Sequence, residues 1–238
     1  MNNFIISYYL SLCVQFITFL IQFYGIFLYV SPLFISLKYA LHIELWVSLI
    51  EFMVYLWIGT NLKNLDKIMT KRYIDWVLTT NALMVSLSLL FIFFKKREEK
   101  SKNTSSPYAI AESSNDNIKQ IISNNKKYII PLIIFNNAML LFGFMGEKKI
   151  IPKFYSFTIG FLFFILNFYF LFEYFAKHSS SGKVVFYIIT FIWSMYGFSH
   201  ILSNMNKNIC YNILDLISKN IFGLFMVYLI FNPESFMF

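Results

Sequence analysis

Long, nearly uncharged apolar runs recur along the whole of this chain, and no other feature restricts its fold as severely. About 20 predominantly apolar residues coiled as a helix match the hydrocarbon core of a bilayer. In lipid a helix satisfies its own backbone hydrogen bonds, so such runs form helices even where strand-favouring Phe, Ile and Tyr abound. Seven runs can be drawn, at 4–30, 33–57, 71–94, 128–145, 152–176, 183–205 and 208–231. The expected fold class is all-α, a single seven-transmembrane-helix bundle over 1–238. The stretch 95–127 between the third and fourth runs is rich in Lys, Ser, Asn and Glu and reads as a polar, mobile loop.

Composition narrows the function classes. Only 13% of the 238 residues are charged and 58% are hydrophobic, against about 25% charged in soluble proteins. The net charge of +8 sits mostly in loop lysines and reads as attraction to anionic headgroups, so the expected partner is the lipid bilayer and not nucleic acid. The first run follows only Met1, Asn2 and Asn3, without a basic leader, and is too long for a signal peptide; it reads as the first span. Cys13 and Cys210 read as free thiols rather than a disulfide framework. With the amino terminus outside, the inner side collects 11 Lys/Arg and the outer side 8. That small bias favours an integral, multi-pass protein with an extracellular amino terminus and a cytoplasmic carboxyl terminus.

Ionisable groups inside a span are costly and tend to be functional. Glu44 and Glu51 stand in the second run, Arg72 and Asp75 in the third, Glu173 near the end of the fifth, and Asp215 and Lys219 in the seventh. Glu173 is close enough to a membrane face to snorkel. Asp215 and Lys219 are four apart and share one helix face. Such a pair is either a plain buried ion pair or an amine poised to form a Schiff base with an aldehyde. Arg72 and Asp75, three apart, also share a face. Two carboxylates and two cations balance formally, as buried charges must, and the set points to a chemical site.

The residues that carry chemistry resemble a known family. Arg72-Tyr73-Ile74-Asp75-Trp76-Val77-Leu78-Thr79-Thr80 resembles the third-helix signature of microbial (type 1) rhodopsins. Tyr211, Leu214-Asp215-Leu216, Lys219 and Phe222-Gly223 resemble the seventh helix, and Trp193-Ser194-Met195-Tyr196 the sixth. Asn136, Met139 and Gly143 fall at the fourth-helix spacing of the family's pocket. The resemblance implies retinal as cofactor, bound to Lys219 as a protonated Schiff base, with Asp75 as primary counterion and proton acceptor, Asp215 as second counterion and Arg72 outside that pair. It implies a pocket of Trp76, Thr79, Thr80, Met139, Gly143, Phe157, Gly160, Trp193, Tyr196 and Tyr211. Flat rings suit a flat conjugated chain.

Departures from the family pattern bear on function. Ser86 stands where proton pumps of the family carry a carboxylate, and a hydroxyl cannot return a proton at neutral pH. Asn81 and Gly197 replace prolines, and His200 stands where an aromatic residue is usual. Asn204, Asn206, Lys207 and Asn208 occupy the outer ends of helices 6 and 7, without paired release glutamates. On the first two helices, Ser11 and Gln15 share a face, as do Glu44, Ser48 and Glu51. Aligned polar groups line a water-filled path or act as glue between helices, and carboxylates in a path favour cations. Ser11, Gln15 and Glu44 also resemble viral group 1 rhodopsins of large algal viruses, described as light-gated cation channels. The expected function is a light-gated cation channel translocating cations or protons through Ser11, Gln15, Glu44, Glu51 and Ser86. The alternatives are a weak light-driven outward proton pump and a photosensor acting through a partner. Neither an enzyme nor a metal site is expected, and a homo-oligomer is compatible with the pattern.

Overall fold

The computed structural model describes residues 2–102 and 117–236, and within them seven helices are long and apolar enough to cross a membrane. They are α1 (Asn2–Gly25), α2 (Ile35–Gly59), α3 (Leu65–Lys102), α4 (Ile118–Glu147), α5 (Lys153–Tyr174), α6 (Ser180–His200) and α7 (Asn204–Phe231). No strand occurs among the described residues.

Several boundaries move for identifiable reasons. α1 stops at Gly25, and the chain reaches α2 through a 3-10 turn at Pro32–Phe34. Both described ends of the polar stretch 95–127, expected as a loop, are helical. Residues 95–102 prolong α3, and 118–127 form the first turns of α4. Lys and Glu are good helix formers, and Lys95 pairs with Glu99 one turn on at 3.9 Å. The Asn117 side chain caps α4 by accepting from Lys119 N at 3.3 Å. The rest of that stretch, 103–116, lies outside the described residues. Ser179 caps α6 by accepting from Gly182 N at 3.0 Å. α6 ends at His200 rather than 205, and α7 starts at Asn204.

Consecutive helices pack side by side, α7 closes the ring against α1 and α2, and α3 also meets α6 and α7. In α3 and α7, 67% and 61% of the apolar window is enclosed, against 28–39% in the other five. The most enclosed helices thus carry most of the charges, while exposed Phe, Ile, Leu and Tyr on the others face lipid. One buried cation was not legible in the sequence. Arg97, assigned there to the polar loop, is fully enclosed. It donates to the carbonyls of Pro233 (3.2 Å), Ser235 (2.5 Å) and Phe236 (2.8 Å), and to Ser181 Oγ at 2.8 Å. The segment after α7 is thereby folded over one end of the bundle. At the same end Glu173 pairs with Lys177 half-exposed, consistent with a snorkelling carboxylate.

Candidate functional site

Lys219 sits where α7 widens into a π-helical turn over Leu216–Ile221. Neighbouring residues of an α-helix point about 100° apart, so three in a row seldom face inward together. The wider turn brings Ser218, Lys219 and Asn220 all inside, at 8%, 1% and 0% exposure. Such bulges concentrate at functional sites.

Three carboxylates surround the Lys219 amine. Nζ lies 3.2 Å from Asp75 Oδ2 on α3, 3.4 Å from Glu51 Oε1 on α2 and 3.6 Å from Asp215 Oδ1 on its own helix. Arg72 is the second cation, its Nη1 donating to Asp215 Oδ2 at 2.9 Å. Its Nη2 donates to Asn212 Oδ1, and its Nε to Asn208 Oδ1 at 3.3 Å. The Tyr55 hydroxyl accepts from Arg72 at 3.1 Å and donates to Asp215 at 2.9 Å. The Tyr196 hydroxyl donates to Asp215 Oδ1 at 2.8 Å. Glu51 Oε2 accepts from Asn220 Nδ2 at 3.3 Å.

The structure brings Arg72, Asp75, Asp215 and Lys219 together, as their spacing predicts. It changes the charge count. Glu51, expected only along an ion path, belongs to the amine's cage because α2 leans its inward face onto α7 at that level. Three enclosed carboxylates now face two enclosed cations, and a proton or a mobile cation must neutralise the third. Tyr55, Asn208, Asn212 and Asn220 are neighbours of the cage that the sequence reading did not assign to it. A signal existed for three of them: Tyr55 follows Glu51 by four residues, and Asn208, Asn212, Asp215 and Lys219 repeat every three or four.

A cavity opens beside Lys219. Trp76 and Thr80 border it from α3, Met139 and Gly143 from α4, and Phe157 and Gly160 from α5. Trp193 and Tyr196 come from α6, and Tyr211 joins Lys219 from α7. The Trp76 ring stands edge-on to Tyr196 and Tyr211, with centroids at 5.7 and 4.8 Å. A Cβ on Gly160 would meet only Met139 O at 3.6 Å, so that stretch of wall is open. Thr79 is the exception among the expected pocket residues. It does not reach the cavity, and its hydroxyl donates to Asp75 O at 2.9 Å. Asn136 stands behind the wall, donating to Thr80 Oγ1 at 2.7 Å.

From the cage, polar side chains continue along the seam of α1, α2 and α7. On α1 they are Ser7, Ser11, Gln15, Thr18 and Gln22, repeating every three or four residues and all buried. On α2 they are Ser36, Glu44, Ser48 and Glu51. Ser11 Oγ donates to Asn212 O at 3.2 Å. Gln15, Thr18, Gln22, Ser36, Glu44 and Ser48 are enclosed with no hydrogen-bond partner for their side-chain polar atoms. Ser86, on α3, is buried near the Glu44 carboxyl, with its hydroxyl 3.8 Å from Met226 Sδ.

Seven membrane-length helices, an enclosed lysine caged by carboxylates and an aromatic slot beside it define an integral, multi-pass membrane protein built to hold a flat conjugated aldehyde. The chain belongs to the bacteriorhodopsin-like protein family, whose model matches residues 3–232. A green-light absorbing proteorhodopsin of Gamma-proteobacterium EBAC31A08 is 26% identical over 193 residues, covering 73% of this chain and 64% of that protein. The match thus spans a little under two thirds of the curated relative's length. Among solved structures, the viral rhodopsin OLPVRII superposes with a TM-score of 0.76 at 22% identity, over 96% of this chain and 98% of its own. A proton pumping rhodopsin from the marine alga Acetabularia acetabulum superposes at 0.68 with 17% identity, over 98% and 96%. The family's cofactor is retinal, held as a Schiff base on a lysine, and Lys219 is the lysine on this cavity wall. The residues present fit it: an amine at one side, flat rings along the slot, and an open wall at Gly160.

Proposed function

We propose that the protein is a light-gated cation channel whose path follows the polar seam of α1, α2 and α7. One observation carries the reading. Gln15, Thr18, Gln22, Glu44 and Ser48 are buried without partners, and orphaned polar groups in a membrane interior call for water or a passing ion. Retinal, when bound, supplies light absorption and a change of shape. Asp75 would act as primary counterion, and its Oδ2, 3.2 Å from the Lys219 nitrogen, would take the proton. Asp215, held by Arg72, Tyr55 and Tyr196, would stay as the fixed counterion. Trp193, on the cavity wall and packed edge-on to Phe168 at 5.6 Å, would pass the strain to α6, which packs against α7. Glu44 lies seven residues from Glu51, about 10 Å along α2, and would attract cations to the far half of the path. The orientation proposed with it has the amino terminus outside, from the loop-lysine excess.

A weak outward proton pump is the second reading, favoured by the 3.2 Å contact of Asp75 with Lys219. Ser86 leaves it without a carboxyl donor on α3. Light-evoked current under voltage clamp separates the two. A channel current reverses sign with the cation gradient, and replacing Glu44 with Gln changes its size or selectivity. A current that stays outward at every voltage would refute the channel.

A further inference from the structure

His200 stands on the cavity wall and takes no part in the Lys219 cage. It is buried, with Ser156 of α5 on one side of its ring and Glu147 of α4 on the other. Ser156 Oγ donates its one hydrogen to Phe142 O at 2.8 Å. The 3.3 Å contact between Ser156 Oγ and His200 Nε2 therefore has Nε2 as donor, and the neutral ring keeps its proton there. Nδ1 is left with a lone pair, has no partner, and faces Glu147 Oε2 across 4.0 Å. A proton added to Nδ1 would make an imidazolium within ion-pair reach of that carboxylate. The other charged groups around it are Lys207 of α7, which donates to the same Glu147 oxygen at 2.6 Å, and Lys153 of α5. Tyr73 of α3 and Tyr211 of α7 also face Glu147.

This pair lies across the cavity from the amine. Lys207, which donates to Glu147, stands twelve residues before Lys219 on α7, about 18 Å along the helix, so the pair and the amine border the cavity at different levels. We propose that His200 sets the colour of the pigment by binding a proton on Nδ1 against Glu147, at the end of the chromophore slot remote from Lys219. Excitation of a protonated polyene imine carries positive charge away from its nitrogen. A cation at the remote end opposes that movement and shifts absorption to shorter wavelength. Neutralising a carboxylate at the Lys219 end has the opposite sign, so the two sites are distinguishable by direction alone. One unit charge gained on this part of the cavity wall gives a shift on the order of 10–20 nm at an effective dielectric of about 20.

The test is a dark pH titration of the retinal-loaded protein, with no current measured, so it stands apart from the channel reading. Wild type should show a component moving to shorter wavelength as pH falls. His200→Gln should lack it while keeping the longer-wavelength component of the carboxylates. Glu147→Gln should need a lower pH for it, having lost the negative partner. Nitrogen-15 NMR of wild-type holoprotein keeps the test independent of variant folding. There are only three histidines, and the His200 ring should show Nε2–H throughout with Nδ1 gaining a proton over the same pH range as the spectral shift. Titration curves that match between wild type and His200→Gln, or an Nδ1 that stays bare while the blue-shifting component develops, overturns the proposal.

Discussion

Replacing Glu51 with Gln keeps the length of the side chain and deletes its charge from the Lys219 cage. With Glu51 ionised and the third negative charge of the cage balanced by a mobile cation, its carboxylate oxygen lies 3.4 Å from Nζ, and at an effective dielectric of about 20 such a pair is worth about 5 kcal/mol. Excitation of the chromophore moves the positive charge outward by several ångströms; at about 10 Å the attraction has fallen to about a third. The carboxylate therefore favours the ground state over the excited state by about 3 kcal/mol. Against about 57 kcal/mol for a photon of about 500 nm, losing that preference is a red shift of about 30 nm. The assay is the visible spectrum of purified, retinal-loaded wild type and Glu51→Gln. Ser48→Ala serves as the uncharged control one turn away on the same face. A maximum that stays within about 5 nm of wild type, or moves to shorter wavelength, refutes the reasoning. It would mean that Glu51 carries no charge toward the amine in the dark and that the cage is a two-carboxylate site.

Three further outcomes follow from the same geometry. Tyr55→Phe removes a hydroxyl that accepts from Arg72 and donates to Asp215, costing about 2–3 kcal/mol; the midpoint of thermal bleaching should fall by about 4–12 °C. Gly160→Phe fills the open stretch of the slot and should abolish the visible band while the protein still inserts, whereas Gly160→Ala, whose Cβ meets only Met139 O at 3.6 Å, should keep it; absorbance per protein after retinal addition reads both. Arg97→Met leaves the Pro233, Ser235 and Phe236 carbonyls without their buried donor. Amide hydrogen exchange over 232–236 should then accelerate by roughly 30-fold or more, and unchanged exchange would show that Arg97 does not hold the segment.

The architecture was open to reading because bilayer thickness imposes a length on every span, and seven runs of that length stand in the chain. Part of the site was open for a similar reason. Asp215 with Lys219, and Arg72 with Asp75, are short-range pairs on one helix face, and helical periodicity alone puts them on the same side. Helix ends were read less well. The polar residues 95–102 and 118–127 are coiled as helix, since Lys, Glu and Asn outside the hydrocarbon region carry no apolar periodicity to mark them.

What the sequence determined by itself was the number of spans and the shared helix faces of Asp215 with Lys219 and of Arg72 with Asp75, all of them local patterns or short spacings; the Schiff-base lysine and the aromatic slot were implied by the family resemblance. Only the tertiary structure decided that Glu51 faces Lys219 rather than a remote stretch of path, that Tyr55 and Asn212 join Arg72 to Asp215, and that Arg97 is enclosed by the segment following α7. Each of these contacts joins residues on different helices far apart in sequence. Their pairing depends on how each helix is rotated about its own axis, and the π-helical turn at Leu216–Ile221 resets that rotation partway along α7. No count of residues along one strand of sequence carries that angle. The sum of charges around Lys219 accordingly came out as three carboxylates against two cations, where the spacing had suggested two against two.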